Sequence, residues 1–216
     1  MPVAIVTGAS RGLGRALATA LVDNGWSVIA DGRTIEPQPG FQTIRGDITD
    51  PAHRAALVAA APKLDLLVNN AGILGPSPQP ALVDYPLDVL RDVFEVNVVA
   101  PLALTQLALP RLRASAGAIV NITSDAAVEA YEGWGGYGSA KAAVEQLSRI
   151  LAAEEPAIRV WWADPGDLRT QMHQEAFPGE DISDRPPPES VVPAFLRLIW
   201  DRPASGRVRL SETALI

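Results

Sequence analysis

Three side chains able to move protons stand at set separations in this chain: Ser124, Tyr137 and Lys141. In Tyr137-Gly-Ser-Ala-Lys141 the phenol and the ammonium are four residues apart, which on a helix puts them on one face, one turn apart. Ser124 follows the apolar run Ala118-Ile-Val-Asn-Ile-Thr, which reads as a buried strand. A tyrosine titrates near ~10 and is a poor acid or base at neutral pH. A neighbouring ammonium favours the phenolate and moves the titration toward working conditions. Such pairs also arise by chance on solvated helices, so the weight of this one depends on the rest of the chain.

The elements that must position these groups begin at the amino terminus. Residues 3–6 (Val-Ala-Ile-Val) suit a central parallel strand. Thr7-Gly8-Ala9-Ser10-Arg11-Gly12-Leu13-Gly14 follows, and Arg15 to Asp23 reads as an amphipathic helix. Strand, glycine turn and helix form the setting in which backbone N–H groups at a helix start hold a pyrophosphate. The spacing here is Gly-x-x-x-Gly-x-Gly rather than the usual Gly-x-Gly-x-x-Gly; a ligand-free glycine turn is the bland alternative.

Strand and helix signals then alternate. Strands are predicted at 3–7, 26–31, 41–46, 64–69, 117–123, 158–163 and 206–210, and helices at 12–24, 51–61, 85–113, 135–154 and 189–200. This alternation implies an α/β, doubly wound parallel sheet with helices on both faces, order 3-2-1-4-5-6-7, and ligand at the carboxyl ends of the strands. One domain over 1–216 is expected, with neither repeat nor linker. Between Arg33 and Phe41 lie two prolines and a glycine, so the second and third strands should be joined by a loop, not a helix.

Hydrophobic residues make up 48% and charged residues 20% of 216, which is enough for a sizeable core. No run reaches about 18 apolar residues, so no membrane span is expected. Lys and Arg number 18 against 25 Asp and Glu, a net charge of −7, which argues against nucleic acid and anionic membranes as partners. Without cysteine there are no disulfides and no thiolate chemistry. The chain runs directly into its first strand, so a signal peptide is not expected and a cytoplasmic location is. His53 is expected on a surface helix. His173, within the polar stretch 171–190, is a candidate substrate contact, with a plain loop residue as the alternative. Neither has partners at metal-ligand spacing, so no metal is expected, and no His–carboxylate pair supports Ser124 as a hydrolase nucleophile. Trp134, Trp161 and Trp162 either line a pocket or fill the core.

Further motifs complete the series: Gly46-Asp47-Ile48, Asn69-Asn70-Ala71-Gly72, Asn97, and Pro165-Gly166-x-Leu168-x-Thr170. In this order, with the glycine turn and Ser124, Tyr137 and Lys141, they resemble the short-chain dehydrogenase/reductase family, in its shorter single-domain branch, over nearly the whole chain. The resemblance implies a seven-stranded Rossmann fold and hydride transfer between a nicotinamide dinucleotide and a carbonyl or secondary alcohol. It implies Tyr137 as general acid in reduction and base in oxidation, and Lys141 lowering the phenol and binding the nicotinamide ribose. Ser124 would hold the substrate oxygen, and Asn97 a water leading from Lys141 to solvent. The cofactor would lie against Gly8, Ser10, Arg11, Gly12, Leu13 and Gly14. It would continue past Arg33, Asp47, Ile48, Asn69, Ala71 and Gly72 to Tyr137, Lys141, Pro165, Gly166, Leu168 and Thr170. For Asn69, Asp47 and Thr170 plainer roles stay open: a tie between strands, a cap for the helix near Pro51, and a helix cap.

In NAD-preferring relatives an acidic residue ends the second strand. That position falls on Gly32 here, with Arg33 next and Asp31 one place early, so NADP(H) is favoured, with Arg33 and Arg11 on the 2′-phosphate. A one-residue shift would restore Asp31 as an NAD determinant, and NAD(H) stays open. The substrate loop is expected at about 167–190. Helices 85–113 and 135–154 are expected to pair in a homodimer; a tetramer is the lesser option, because the sequence ends soon after its last strand. Apolar Leu102, Leu109, Leu147 and Leu151 serve either that pairing or the core. An NADP(H)-binding regulatory protein without turnover is the alternative; a sugar-nucleotide epimerase or dehydratase fits neither the glycine spacing nor the length.

Overall fold

Short runs such as Val3-Ala-Ile-Val are apolar on both alternating faces, so both faces must be covered. A computed structural model describes residues 1–211; the last five residues of the domain expected over 1–216 lie outside the described residues. The strands are β1 (Val3–Val6), β2 (Ser27–Gly32), β3 (Phe41–Arg45), β4 (Leu66–Asn69), β5 (Ala118–Ile122), β6 (Arg159–Asp164) and β7 (Gly206–Arg209). All pair in parallel in the order β3-β2-β1-β4-β5-β6-β7, as the alternation implied. Register places Val3 beside Ser27 and Ala4 beside Leu66.

The helices are α1 (Gly12–Asp23), α2 (Pro51–Ala60), α3 (Leu87–Phe94), α4 (Ala100–Ser115), α5 (Gly135–Glu154), α6 (Gln171–Ala176) and α7 (Val192–Asp201). Strand alternation splits the core into two layers. Ala4, Val6, Val120 and Trp161 pack with Leu17 and Leu21 of α1 and Phe195 of α7. Val3, Ile5, Ile119 and Val160 pack with Leu57 of α2 and Leu104 and Leu112 of α4. Arg33 to Gly40 form no helix, as the prolines required, and β3 is left as a partly exposed edge.

Three features differ from the sequence reading. The helix expected at 85–113 is broken by a π-helical turn, Glu95–Val99, which carries Asn97. The stretch Leu87–Ser115 has the length and apolarity of a membrane span by composition, yet Leu104, Ala108 and Leu112 are buried against the sheet. A helix not foreseen, α6, forms within the polar stretch. His53, expected at the surface, is buried, and so are Trp161 and Trp162, which fill the core rather than a pocket.

Candidate active site

The glycine turn is fastened from both neighbouring strands. Thr7 Oγ1 accepts from the N–H groups of Asn70 and Ala71, each at 3.0 Å. The Asn70 amide donates to the carbonyls of Thr7 (2.9 Å) and Gly8 (3.2 Å). From β2, the Asp31 carboxylate accepts from Gly8 N–H at 2.7 Å and its carbonyl from Ala9 N–H at 2.8 Å. Gly8 has φ +66, and a side chain there would meet Ala71 Cα at 2.8 Å, so the position requires glycine. No side chain caps α1, which leaves its first N–H groups to an anion.

From this turn a long cleft runs along the carboxyl ends of the strands. Gly8, Ser10, Arg11, Gly12, Leu13 and Gly14 border its middle, and Arg33, Asp47 and Ile48 border one end. Ala71 and Gly72 follow, and Ser124, Tyr137, Lys141, Pro165, Gly166, Leu168 and Thr170 border the other end. An elongated cleft with an uncapped helix start midway and a phenol–amine pair at one end fits a dinucleotide.

Two expected site residues do not border it. Asn69 donates to Asn121 Oδ1 at 2.8 Å and Thr105 Oγ1 at 3.3 Å, tying β4 to β5 and α4. The alternation along β4 turns Asn69 into the sheet's flank and brings the next residue, Asn70, to the turn. Asn97 exchanges both amide atoms with the backbone of Ile73, at 2.8 and 2.9 Å. Its side chain clamps the segment after β4 instead of projecting into the cleft.

At the catalytic end, Tyr137 and Lys141 are buried on one face of α5. Lys141 Nζ donates to Ile122 O at 2.8 Å and stands 5.4 Å from the centre of the Tyr137 ring. Gly138 lets α5 close on the turn after β5, because a Cβ there would lie 2.7 Å from Ala126 O. Ser124 begins that turn; its Oγ donates to Asp125 Oδ1 at 2.9 Å and accepts from Ala126 N–H at 3.2 Å. Trp134 stacks edge-on against Tyr137 at 5.9 Å and borders the cleft.

The expected lowering of the phenol by Lys141 is not what this environment produces. Burial pushes Tyr137 above its ordinary value, and the charges of Asp125 and Asp164 push the same way. Burial lowers Lys141 to about 8. Removal from water disfavours both charged forms, so burial favours the protonated phenol.

Beneath Ser124 lies a charge cluster with no counterpart in the sequence reading. Arg207 Nε donates to Glu145 Oε1 at 2.9 Å, and Nη2 to Asp164 Oδ2 at 2.9 Å and Ser124 O at 3.2 Å. Asp164 Oδ1 in turn accepts from Gly166 N–H at 2.9 Å. Glu145 lies four residues beyond Lys141, so the helical repeat was the available signal for it.

Thr170 both borders the cleft and caps α6, accepting from His173 N–H at 3.2 Å. Asp47 does not cap α2: it accepts from Thr49 N–H and Oγ1 at 2.9 and 2.8 Å, while Asp50 caps the helix through Ala52 N–H. Those bonds to Thr49, with Arg33 and His53 nearby, hold its carboxyl below the usual range. On α6, which packs at the Tyr137 end through Met172 and Ala176, His173 packs on Phe177 at 4.9 Å, with Nδ1 3.8 Å from Asp167.

The family model for short chain dehydrogenase matches residues 2–181. The chain belongs to the short-chain dehydrogenase family. Within that family it is 33% identical to the oxidoreductase YciK of Escherichia coli K12, over 92% of this chain and 86% of that one. It is 36% identical to sepiapterin reductase of Meriones unguiculatus, over 81% of this chain and 77% of that one. A short-chain dehydrogenase of Shigella flexneri solved in complex with NADP superposes with a TM-score of 0.89. It is 30% identical, over 97% of this chain and 96% of that one.

Proposed function

We propose that this short-chain dehydrogenase is an NADP(H)-dependent oxidoreductase acting on a carbonyl or secondary alcohol, with Tyr137 as general acid in reduction. The observation that carries the reading is the buried Tyr137–Lys141 pair at the end of the cleft whose middle is the anion-binding turn. A bound reduced nicotinamide supplies the hydride. Tyr137 gives its phenolic proton to the carbonyl oxygen, and the Lys141 ammonium, steadied by Ile122 O, stabilises the phenolate left behind. Ser124 turns its hydroxyl from Asp125 to the same oxygen, where negative charge develops. The backbone at Leu168 and the Thr170 side chain orient the carboxamide.

For the coenzyme, support comes from the neighbour solved with NADP and from the open ribose end, where Gly32 offers no side chain and Arg11 and Arg33 offer cations. Partly exposed Val99, Leu102 and Leu107 on and beside α4 support a homodimer, which light scattering would check.

The test is consumption of NADPH with a panel of aldehydes and ketones. Tyr137→Phe should lower kcat by about 10²–10⁴ with NADPH affinity nearly unchanged. A folded protein inert with both coenzymes, or full rates in the Phe variant, would overturn the assignment.

A further inference from the structure

Asp31 stands where β2 reaches the cleft, beside Gly32 and Arg33. A carboxylate in this region can accept from ribose hydroxyls and repel a 2′-phosphate. Here it is 1% exposed. One oxygen accepts from Gly8 N–H at 2.7 Å, and the other lies 3.0 Å from His53 Nε2. An ionised carboxylate only accepts, so the imidazole donates. His53 reaches Asp31 from α2 because residue 46 is glycine: a Cβ there would lie 2.2 Å from His53 Nδ1. Asp31, Gly46 and His53 thus form a buried contact between the strand end, the next strand's exit and α2.

We propose that His53 is a coenzyme-selectivity residue acting through Asp31. By occupying the outer carboxylate oxygen it holds Asp31 against the glycine turn and away from the adenosine ribose. That keeps the ribose end open to a 2′-phosphate. The inference rests on the NADP(H) reading above. Asp31 binds the turn, and His53 positions Asp31.

The experiment measures dissociation constants for NADPH and NADH in the wild type, His53→Leu, and His53→Leu with Asp31→Asn. Leucine fills the space of the imidazole without a donor. His53→Leu should reduce the preference for NADPH about tenfold, the scale of one lost hydrogen bond to a charged group. Asp31→Asn, which keeps an acceptor for Gly8 N–H but removes the charge, should restore the preference in that background. A purely structural His53 would weaken both coenzymes alike; an unchanged ratio in folded His53→Leu overturns the proposal and leaves the NADP(H) reading standing. A wild type that binds NADH as tightly as NADPH overturns both. Should His53→Leu fail to fold, a crystal structure of the wild type with NADP decides. Asp31 still bonded to His53 supports the proposal, and Asp31 bonded to a ribose hydroxyl overturns it.

Discussion

At the β3 edge the cleft is bordered by the turns that leave β2 and β3, Gly32 to Thr34 and Gly46 to Ile48, and a buried polar contact there is Asp31 with His53. At the other end it is bordered by the 20-residue α5 and the ends of β5 and β6, and Arg207 of β7 ties Glu145 of α5 to Asp164 of β6. The two ends face different demands. Holding an adenosine needs backbone donors and a cation of the right sign, and a displacement of an ångström costs affinity alone. Delivering a proton needs Tyr137, Ser124 and the turn after β6 fixed together, because misplacing reacting atoms costs rate steeply. Arg207 bonds the backbone of Ser124 and, through Asp164, the N–H of Gly166. A single guanidinium therefore registers the substrate-oxygen side against the nicotinamide side.

Arg207→Met should produce the largest break in that contrast. It removes the shorter of two arginine contacts from both Glu145 and Asp164, leaving Arg149 at 3.2 Å and Arg209 at 3.8 Å, at a cost of about 2 kcal/mol of stability, readable by urea unfolding. In the folded fraction kcat should fall more than the affinity for NADPH, since the glycine turn lies outside the cluster. Equal losses in kcat and coenzyme affinity would mean that the cluster holds the whole sheet and not the catalytic end in particular.

Lys141 gives a pH signature confined to the same end. Burial lowers its ammonium to about 8. Below that pH the lysine is charged in folded and unfolded chains, and the full cost of its burial is present. Between about 8 and the ordinary lysine value the unfolded chain still binds the proton and the folded one does not, so the unfolding free energy gains with rising pH. The stability difference between wild type and Lys141→Met should therefore move in favour of the wild type from pH 8 to pH 10 in denaturant titrations. Reduction should show the opposite trend. Loss of the ammonium removes the charge that stabilises the phenolate, so kcat/KM should fall as pH rises through about 8, by up to tenfold per unit. A flat profile would separate Lys141 from the proton transfer.

Sheet order and the missing helix after β2 were legible because each follows from local pattern, while most residues at the cleft's two ends were implied by the family resemblance. Apolar runs fix strands, prolines forbid helices, and the glycine spacing fixes a turn. What escaped depends on where a side chain points across elements. Asn69 and Asn70 are chemically identical in sequence, and the alternation of β4 decides which one meets the glycine turn. His53 was placed on a surface helix because nothing local marks it as buried; only the gap left by Gly46, seven positions earlier, admits it to the interior. The helical repeat puts Glu145 one turn beyond Lys141, but Arg207 is distant in sequence and no periodicity links it to Glu145. The upward push on Tyr137 was not legible because spacing reports proximity and not burial: desolvation raises the phenol, and Asp125 and Asp164 add to it.

The smallest expected effect sharpens the comparison most. Arg33 is exposed at the ribose end, where its charge already bears on Asp47. It lies apart from the core layers that hold the sheet. Arg33→Ala should leave stability within about 0.5 kcal/mol and kcat unchanged at saturating coenzyme. It should weaken NADPH about tenfold, as expected for one charge-assisted contact to a phosphate, while NADH binding stays within about twofold. Loss of a guanidinium at one end would then register in one coenzyme's affinity and nowhere else, whereas loss at Arg207 registers in stability and turnover. Parallel weakening of NADH and NADPH by Arg33→Ala would remove Arg33 from the 2′-phosphate and leave Arg11, in the glycine turn, to make that contact.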